Sequence, residues 1–411
     1  MKKLRLLTFS TLFPHNAKPN HGVFVENRLR HLVASGEVAS EVVAPVPWFP
    51  ATHPRFGEWA VNARAAREET RHGLTIRHPR YPVIPKIGMT VAPMLLYRAM
   101  VPVFQRLMDE GNRLKTPFDA IDAHYVYPDG VAAVWLGQRF NLPVVVTARG
   151  TDVSLIPQYP RPRRLIQDAI KGAAALIAVS AALKTALVEI GAPDEKVTVL
   201  RNGVDTALFH PPADRDALRA SLGLTRPTLI SVGLLIERKG HHRTIEAMTR
   251  LPDFDLIIAG EGPERGRLDA LIARHGLGGR VRLLGARPHA ELPSLYGAAD
   301  ASVLSSSREG WANVLLESMG CGTPVVASDI WGNPEVVRTE AAGIITRENT
   351  PDGIVEGVRR LFAAGLPRAA TRAYAEPFSW DETTAGQLSL FRRVVAERRE
   401  TGVAERRDRH G

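Results

Sequence analysis

The strongest constraint on the fold is a repeated alternation between short, β-branched apolar runs and stretches with helical spacing, such as Phe24–Val33 and Arg163–Lys171. Strands are predicted in the first half at Leu4–Thr8, Glu41–Ala44, Ala120–Ala123, Pro143–Thr147, Leu176–Val179 and Val197–Leu200. They are predicted in the second half at Thr228–Val232, Asp255–Ala259, Val281–Leu284, Ala301–Leu304, Pro324–Ala327 and Gly343–Thr346. Continuous apolar strands separated by helices are typical of parallel sheets covered on both faces. The sequence therefore predicts an α/β chain with two doubly wound, Rossmann-like domains.

The length of 411 residues exceeds one ordinary hydrophobic core, which favours two domains. The segment from Asp205 to Pro212 is the predicted linker, with an N-terminal domain at 1–205 and a C-terminal domain at 206–375. Ser379 and Glu382 have the spacing of a capping box and open a long amphipathic helix at 376–396, which we expect to dock rather than float. The charged residues 397–411 are expected to fray.

Targeting and redox features favour a cytoplasmic protein. The N-terminal run LRLLTFSTLF is apolar only over the length of a strand, unlike a signal peptide. No stretch reaches the ~18 apolar residues of a membrane-spanning helix. The single cysteine, Cys321, excludes an intramolecular disulfide and a cysteine-rich zinc cluster.

The formal charge of +10 is concentrated in the first half of the chain. Residues 1–205 hold 26 Lys and Arg against 17 Asp and Glu, a balance of +9. This asymmetry favours an anionic partner, either a membrane surface or a phosphorylated acceptor, and its alternative is a solvated arginine-rich face. Nucleic acid is the weakest option because the basic residues are dispersed and no nucleic-acid motif accompanies them.

Two carboxylates eight positions apart, Glu309 and Glu317, are the most informative pair in the chain. Glu309 and Gly310 precede a helix predicted from about Asn313 to Gly320, and Glu317 lies within it. Carboxylates accept protons from sugar hydroxyls, and a helix N-terminus attracts phosphate. The alternative is that Glu309 only favours the helix dipole and Glu317 is a solvated surface residue.

Two polar groups follow predicted buried strands in the first half. His124 ends the run FDAIDAH, and Arg149 and Asp152 follow the strand that ends at Thr147. Ligands in doubly wound folds bind at the carboxyl ends of strands, which makes these residues candidates for a site. The alternatives are a structural histidine, and an Asp152 that only caps the following turn.

The stretch from Pro82 to Met108 interleaves Met and Leu with three basic residues and could rest on an anionic membrane surface. A core helix is the alternative. Pro93 and Pro102 predict that the stretch is not one long helix.

Several fragments resemble retaining family-4 glycosyltransferases of the GT-B fold. In the second half they are SVGLLIERKG at 231–240, IIAGEGPER at 257–265, VRLLG at 281–285, LYGAAD at 295–300, the Glu309–Glu317 run, and GTPVVASD at 322–329. In the first half they are HGVFVENRLRHL at 21–32, DAHYVYPDG at 122–130, VVVTARGTD at 144–152 and VLRNGVD at 199–205. The resemblance covers nearly the whole chain and implies two Rossmann-like domains facing a cleft, with the C-terminal helix docking back on the N-terminal domain.

The resemblance also implies a donor site. Arg238 and Lys239 would stabilise the charge on a departing nucleoside diphosphate without a metal ion, since no metal or other cofactor is expected. Gly22 and Gly233 would let backbone N–H groups approach phosphate, although many relatives have two glycines where this chain has His21 and Gly22. Gly22 could also be an ordinary loop glycine.

The same resemblance assigns the remaining roles. Glu309 would bind hydroxyls of the transferred sugar and Glu317 the ribose, and His124 would lie beside the donor sugar. Arg149, where relatives often have histidine, would lie with Asp152 on the acceptor side. The backbone N–H groups that would contact sugar and phosphate at the helix start belong to Asn313, Val314 and Leu315.

The function predicted from these features is transfer of a hexose-type sugar from a nucleotide sugar to a polysaccharide or lipid-linked acceptor, with retention of configuration, in cell-envelope assembly. The protein would act in the cytoplasm, with peripheral contact to an anionic membrane as an open option and no nucleic-acid partner. The alternatives are a sugar-nucleotide epimerase or hydrolase of the same fold and a catalytically silent sugar-nucleotide sensor.

Overall fold

The computed structural model describes residues 3–84 and 88–407, with side chains described up to residue 400. Its contacts divide the chain into two compact units. Unit 1 contains Met1–Arg201 together with the C-terminal segment from Asp381, and unit 2 contains Asn202–Trp380. The division therefore falls a few residues before the boundary predicted at 205.

Unit 1 is built on an eight-stranded sheet in the order β10-β9-β8-β7-β1-β2-β5-β4. Among the described residues, the strands of this unit are β1 Leu4–Phe9, β2 Val38–Val43, β3 Val46–Pro47, β4 Glu68–Arg71, β5 Leu74–Arg77, β6 Arg80–Tyr81, β7 Ala120–His124, β8 Val144–Ala148, β9 Ala175–Ala178 and β10 Val197–Val199. The six strands predicted here are confirmed, but the sheet is not wholly parallel. β4 and β5 form an antiparallel hairpin at one edge, and the two-residue strands β3 and β6 pair separately.

The helices of unit 1 cover both faces of this sheet. Those that precede unit 2 in the chain are α1 Val23–Ala34, α2 Glu58–Ala63, α3 Gly88–Arg113, α4 Val131–Phe140, α5 Thr151–Ser154, α6 Pro160–Gly172 and α7 Ala181–Glu189, and the last helix of the chain joins them. Local signals explain some of their ends: Ser180 caps α7 by accepting the N–H of Leu183 at 3.2 Å, and Asn141 ends α4 in the left-handed conformation.

The helix α3 corrects one prediction. It is continuous over 26 residues although it contains Pro93 and Pro102. Pro93, Leu96, Met100 and Phe104 are among its buried positions, so burial of one face offsets the hydrogen bonds that the prolines remove. Residues 85–87, part of the stretch considered for membrane contact, lie outside the described residues.

Unit 2 has a six-stranded parallel sheet in the order β13-β12-β11-β14-β15-β16. Its strands are β11 Thr228–Val232, β12 Asp255–Ala259, β13 Val281–Gly285, β14 Ala301–Leu304, β15 Val325–Ser328 and β16 Gly343–Thr346, which confirms the six predicted strands to within one residue. Its helices are α8 Arg215–Ser221, α9 His241–Ala247, α10 Arg265–Arg274, α11 Leu292–Ala298, α12 Asn313–Gly320, α13 Asn333–Val336, α14 Pro351–Ala364 and α15 Arg368–Ala375. Thr350 caps the start of α14 and Gly365 ends it in the left-handed conformation.

The last helix, α16 at Trp380–Arg407, confirms the predicted docking on the N-terminal unit. Its residues Leu388, Phe391 and Val394 are buried in one cluster with Leu4 of β1 and Ile177 of β9. The helix continues to Arg407, past the point where the sequence predicts fraying, and residues 408–411 lie outside the described residues. Within the described ranges, no helix combines the length and the apolar character needed to cross a bilayer.

Each sheet has one position where the chain reverses the direction in which strands are added. In unit 1 this switch point lies between β1 and β7, and in unit 2 it lies between β11 and β14. Loops that leave neighbouring strands at a switch point diverge to opposite faces, which opens a crevice where ligands bind in such folds.

Candidate functional site

The switch point of unit 2 brings together three of the residues selected from the sequence. Lys239 follows β11 in the turn Glu237–Lys239, and Glu309 follows β14. The Nζ atom of Lys239 lies 2.6 Å from Oε1 of Glu309, and their side chains are only 15% and 9% exposed. Arg238 lies in the same turn, and its Nη1 donates to the carbonyl of Arg308 at 3.3 Å. The pair of cations next to the carboxylate is therefore a feature of the folded unit.

The loop that carries Glu309 is held by its serines. Ser306 Oγ donates to Glu309 Oε1 at 2.7 Å, and the carbonyl of Ser306 accepts from Ser328 Oγ at 2.7 Å and from Asn349 Nδ2 at 3.0 Å. The sequence analysis missed these three residues, whose roles depend on contacts from two other strands.

Two glycines lie close to the Lys239–Glu309 pair, and at one of them a side chain would be blocked by the backbone. A Cβ on Gly240 (φ +72°) would lie 2.0 Å from the carbonyl oxygen of Ser305, so this turn can pass under the Glu309 loop only with glycine. A Cβ on Gly233 would lie 3.4 Å from Cδ and Cε of Lys239. Gly233 therefore lies beneath the side chain of Lys239.

Burial and charge act in opposite directions on Glu309. Burial raises the pKa of this carboxyl, while Lys239, Arg238 and the hydrogen bond from Ser306 lower it, and the net result is a pKa below the ordinary value. Glu309 is thus a carboxylate at neutral pH and can accept hydrogen bonds from hydroxyl groups.

The start of α12 differs from the expectation. The backbone N–H groups of Asn313 and Leu315 already donate to the carbonyls of Trp311 and Ala312, at 3.2 and 3.0 Å. Leu315 is fully buried, and Gly310 is buried as well, while Val314 is half-buried. The Asn313 side chain accepts from Asn202 Nδ2 at 3.3 Å. Local turns therefore occupy two of the N–H groups predicted to contact ligand.

Glu317 is neither solvated nor alone. Its Oε1 lies 3.1 Å from Nε2 of His289, and its Oε2 accepts from the hydroxyl of Tyr296 at 3.4 Å. Phe209 packs edge-on against His289, with ring centroids 5.1 Å apart. The sequence contained a signal for Tyr296 in the fragment LYGAAD, but none singled out His289.

The switch point of unit 1 holds His124 in a buried ionic network. Its Nε2 lies 3.2 Å from Oδ2 of Asp122, and its Nδ1 lies 2.6 Å from Nη2 of Arg149. Arg28 of α1 is fully buried nearby, with Nη1 donating to the carbonyl of Leu200 at 3.0 Å. Both ring nitrogens of His124 are thus engaged within the protein, and the ring is 1% exposed.

Asp152 has the capping role that the sequence analysis weighed as an alternative. It is fully buried, and its two oxygens accept the backbone N–H groups of Val126, Arg149 and Gly150 at 2.7 to 3.1 Å. These bonds fix the loops after β7 and β8 to each other. The expectation that Asp152 binds an acceptor hydroxyl does not fit this arrangement.

Gly22 lies at the start of α1 in the left-handed conformation, with φ +72°. A Cβ there would lie 2.4 Å from the carbonyl carbon and oxygen of Leu12. The loop between β1 and α1 is held further by Asp129, which accepts the N–H of Thr11 at 2.6 Å and the Thr11 hydroxyl at 2.9 Å. Burial raises the pKa of Asp129 to about 7. The backbone of this loop therefore requires glycine at position 22, and another residue type would clash with it.

Among the residues that the structure describes, no three His, Cys, Asp or Glu side chains lie together in a group that could hold a metal ion.

Comparison with known proteins gives matches in both halves. Residues 25–208 match the model described as Glycosyltransferase Family 4, and residues 214–377 match Glycosyl transferases group 1. The chain is 32% identical to a D-inositol 3-phosphate glycosyltransferase of Acidothermus cellulolyticus over 69% of this chain and 68% of that protein. It is 30% identical to the enzyme of the same name from Jonesia denitrificans, over 70% of this chain and 74% of the other.

Solved structures agree on the fold. A sucrose-phosphate synthase from Thermosynechococcus elongatus superposes with a TM-score of 0.78 at 20% identity, over 96% of this chain and 100% of that one. The Anabaena protein HepE, solved with UDP and glucose, gives 0.71 at 21% identity, over 94% of this chain and 99% of that one. The two doubly wound sheets, the Lys239–Glu309 pair and these matches lead to one conclusion: the chain belongs to the family-4 glycosyltransferases and has the GT-B fold.

Proposed function

We propose that the protein transfers a hexose-type sugar from a nucleoside diphosphate sugar to a polysaccharide or lipid-linked acceptor, with retention of configuration, in cell-envelope assembly. The observation that carries the proposal is the contact between Lys239 and Glu309 at the switch point of unit 2. A cation beside a carboxylate suits a ligand whose diphosphate is negative and whose sugar is rich in hydroxyls.

In this proposal Arg238 and Lys239 stabilise the departing diphosphate. Breaking the bond between sugar and phosphate places negative charge on the leaving group, and fixed cations lower the barrier most when they are already positioned. Lys239 Nζ is held in place by Glu309, and the Arg238 turn is held by the Ser307 N–H, which donates to the Arg238 carbonyl at 2.8 Å. Both cations therefore lie at the switch point before a donor binds.

Glu309 and Glu317 would bind the two sugars of the donor. Glu309 accepts hydrogen bonds from hydroxyl groups of the transferred hexose and forms no covalent bond with it. Glu317 accepts hydrogen bonds from the ribose hydroxyl groups. Attack from the face that the diphosphate leaves, with the diphosphate helping to take the acceptor proton, gives retention without a nucleophilic carboxylate. No metal ion is required in this scheme.

A uridine nucleotide is the first donor to test, because HepE was solved with UDP and with UDP-glucose. The acceptor panel should include D-inositol 3-phosphate, since this compound is named in two relatives at 30 and 32% identity. Polysaccharide and lipid-linked acceptors complete the panel.

The experiment is a thermal-shift screen of nucleoside diphosphate sugars, followed by transfer assays with the donor that stabilises the protein most. A ligand of the folded state raises the melting temperature by mass action. Anomeric coupling constants of the product, measured by NMR, then report the configuration. No stabilisation by any nucleotide sugar would contradict the donor site, and inversion at the anomeric carbon would contradict retention.

Peripheral contact with an anionic membrane is supported by one surface of unit 1. Met94 and Tyr97 of α3 and Trp135 and Arg139 of α4 line an open cavity of about 530 Å³. Tyr97 and Trp135 pack edge-on at 5.8 Å, and Met94 is 41% exposed. Amphipathic aromatic rings beside arginine suit the headgroup region of a bilayer.

Vesicle sedimentation tests this contact. We expect binding to vesicles containing phosphatidylglycerol, weaker binding to phosphatidylcholine alone, and loss of binding as salt increases. Trp135→Ala should reduce binding, whereas Trp48→Ala, which removes an exposed tryptophan elsewhere in unit 1, should not. Equal binding by both variants would contradict the assignment of this surface.

A further inference from the structure

The residues around His124 form a chain of hydrogen bonds whose direction can be deduced. Asp122 and His124 are two positions apart on β7, so their side chains lie on the same face of the sheet. β8 pairs with β7 so that Thr147 lies opposite His124, and Arg149 follows two positions later. The three side chains therefore meet because of strand register.

The hydrogen bond from Arg149 determines where the proton of His124 lies. A guanidinium has only donors, so the contact of 2.6 Å between Arg149 Nη2 and His124 Nδ1 requires Nδ1 to accept with its lone pair. The proton of the neutral ring is then on Nε2, which donates to Asp122 Oδ2 at 3.2 Å. An imidazolium would direct an N–H against the N–H of arginine.

Burial and the surrounding charges together also favour the neutral form of His124. Burial lowers the pKa of His124, Asp122 raises it, and Arg149 and Arg28 lower it, with a net decrease. Burial raises the pKa of Asp122, but His124, Arg28 and Arg149 reduce it below its ordinary value. Asp122 is therefore ionised between two arginines, and the carboxyl of Asp152 fixes the backbone of Arg149 from the other side.

We propose that Arg149 and Asp122 are positioning residues that hold His124 as the neutral tautomer protonated at Nε2, so that His124 acts as a fixed hydrogen-bonding link and not as a carrier of the proton. The consequence for turnover rests on the proposed sugar transfer, but the tautomer itself does not. Arg149 thereby gains a function distinct from binding the acceptor.

The test is histidine-selective ¹⁵N labelling of the full chain, with the tautomer read from two-bond ¹H–¹⁵N correlations. The signal of His124 is identified by its loss in His124→Gln. We expect the wild-type ring to be protonated at Nε2 and not to titrate between about pH 5 and 8, where an ordinary histidine titrates. A wild-type ring protonated at Nδ1, or one that titrates near pH 6.5, would overturn the proposal.

Arg149→Met should release the ring. Without the guanidinium, Nδ1 is free to take a proton and Asp122 stabilises the resulting imidazolium, so His124 should now titrate within the same range. Arg149→Lys restores a cationic donor and should restore the neutral ring. Arg164→Met, which removes an exposed guanidinium of α6, is the matched control and should leave His124 unchanged. Identical behaviour of Arg149→Met and the wild type would overturn the proposal.

If Arg149→Met does not fold, Asp122→Asn provides the second variant. An amide oxygen still accepts from Nε2, so the tautomer should persist while the negative charge is lost. A change of tautomer in Asp122→Asn would overturn the proposal.

Activity separates this inference from the proposed function. In the transfer assay, Arg149→Met should lower kcat about tenfold or more, with a small change in KM for the donor and a new pH-dependent limb in the rate. The expected tautomer without transfer of any sugar would leave the inference intact and defeat the proposed function. Transfer by a wild-type protein whose His124 titrates would do the reverse.

Discussion

The two units place polar residues at equivalent switch points but use them in opposite ways. In unit 2, Lys239 and Glu309 form one ion pair at the edge of solvent, with side chains 15% and 9% exposed. In unit 1, Arg28 and Asp122 are buried, Arg149 is half-buried, and all three are charged and already bonded to protein groups. A partner at the rim of a site can be exchanged for ligand, whereas a charged group in a buried network is costly to separate from its partners. The comparison suggests that unit 2 provides the ligand contacts and unit 1 provides fixed geometry.

The largest expected effect is on the pH dependence of the stability of the protein, and it arises from Asp129, a buried carboxyl of unit 1. Its pKa is raised from 3.8 to about 7, so the folded state binds this proton more tightly than the unfolded state. The corresponding stabilisation is present at low pH and is lost as pH rises from about 4 to 7, which amounts to roughly 3 or 4 kcal/mol. Asp129→Asn should remove this dependence.

Urea unfolding at several pH values measures the effect. The stability difference between Asp129→Asn and the wild type should shift in favour of the variant as pH rises. Asp168→Asn, an exposed change on α6, is the control and should follow the wild type. Parallel pH profiles for wild type and Asp129→Asn would mean that unit 1 does not hold this carboxyl in a proton-binding environment.

The next effect tests the exchangeable pair of unit 2. Lys239→Ala should lower kcat about a hundredfold and raise the donor KM less, because the cation acts mainly on charge that develops in the transition state. Lys184→Ala, which removes a half-buried lysine of unit 1 paired with Asp194, is the control in steady-state assays. Unchanged kcat would remove Lys239 from the mechanism.

A third prediction compares two glycines in the same backbone conformation. Gly22 has φ +72° and Gly36 has φ +78°, but only at Gly22 would a Cβ approach the backbone, 2.4 Å from Leu12. Replacement of Gly36 by alanine should cost about 1 kcal/mol, and replacement of Gly22 about 1 to 2 kcal/mol more. Chemical denaturation checks both values, and equal costs would show that the loop before α1 relaxes freely.

The smallest effect concerns the ribose contact that is proposed for Glu317. Glu317→Gln should weaken binding of the donor nucleotide about tenfold, because a neutral amide accepts hydrogen bonds from hydroxyl groups less strongly than a carboxylate does. The kcat at saturating donor should change little. Glu356→Gln on the exposed side of α14 is the control. Undiminished uptake of UDP in a calorimetric titration would contradict the role of Glu317.

Local sequence was sufficient for the strands with continuous apolar residues, but not for the edge of the first sheet. Unit 2 was predicted almost to the residue because strands such as Thr228–Val232 are buried on both faces. The hairpin at 68–77 was missed because Glu68 and Arg71 break the apolar pattern and only one of the two strands is well buried. Helix α3 was predicted to break at its prolines because helix propensity does not include burial of a long apolar face.

The candidate site residues also divide into those that the sequence indicated and those that it did not. Lys239, Glu309 and Glu317 belong to runs whose spacing resembles that of relatives, and the sequence indicated all three. Arg28 was not found because it meets the charge of Asp122 across 94 positions of chain, in a helix whose sequence carries no motif for the contact. The sequence indicated Asp152 but left two roles open, an acceptor-side contact and capping of the following turn. The structure supports capping because three backbone N–H groups donate to its carboxylate.

The course of α16 has a consequence for biosynthesis. Leu388, Phe391 and Val394 complete the apolar layer that β1 and β9 begin, yet ribosomes make them more than two hundred positions after Ile177. During translation, the apolar face of unit 1 therefore stays exposed to water until the ribosome has released the final helix. Unit 2, whose segments are contiguous in the chain, can fold as soon as it has been synthesised. A stop codon or protease cut before Leu388 would therefore harm the end of the molecule that was synthesised first.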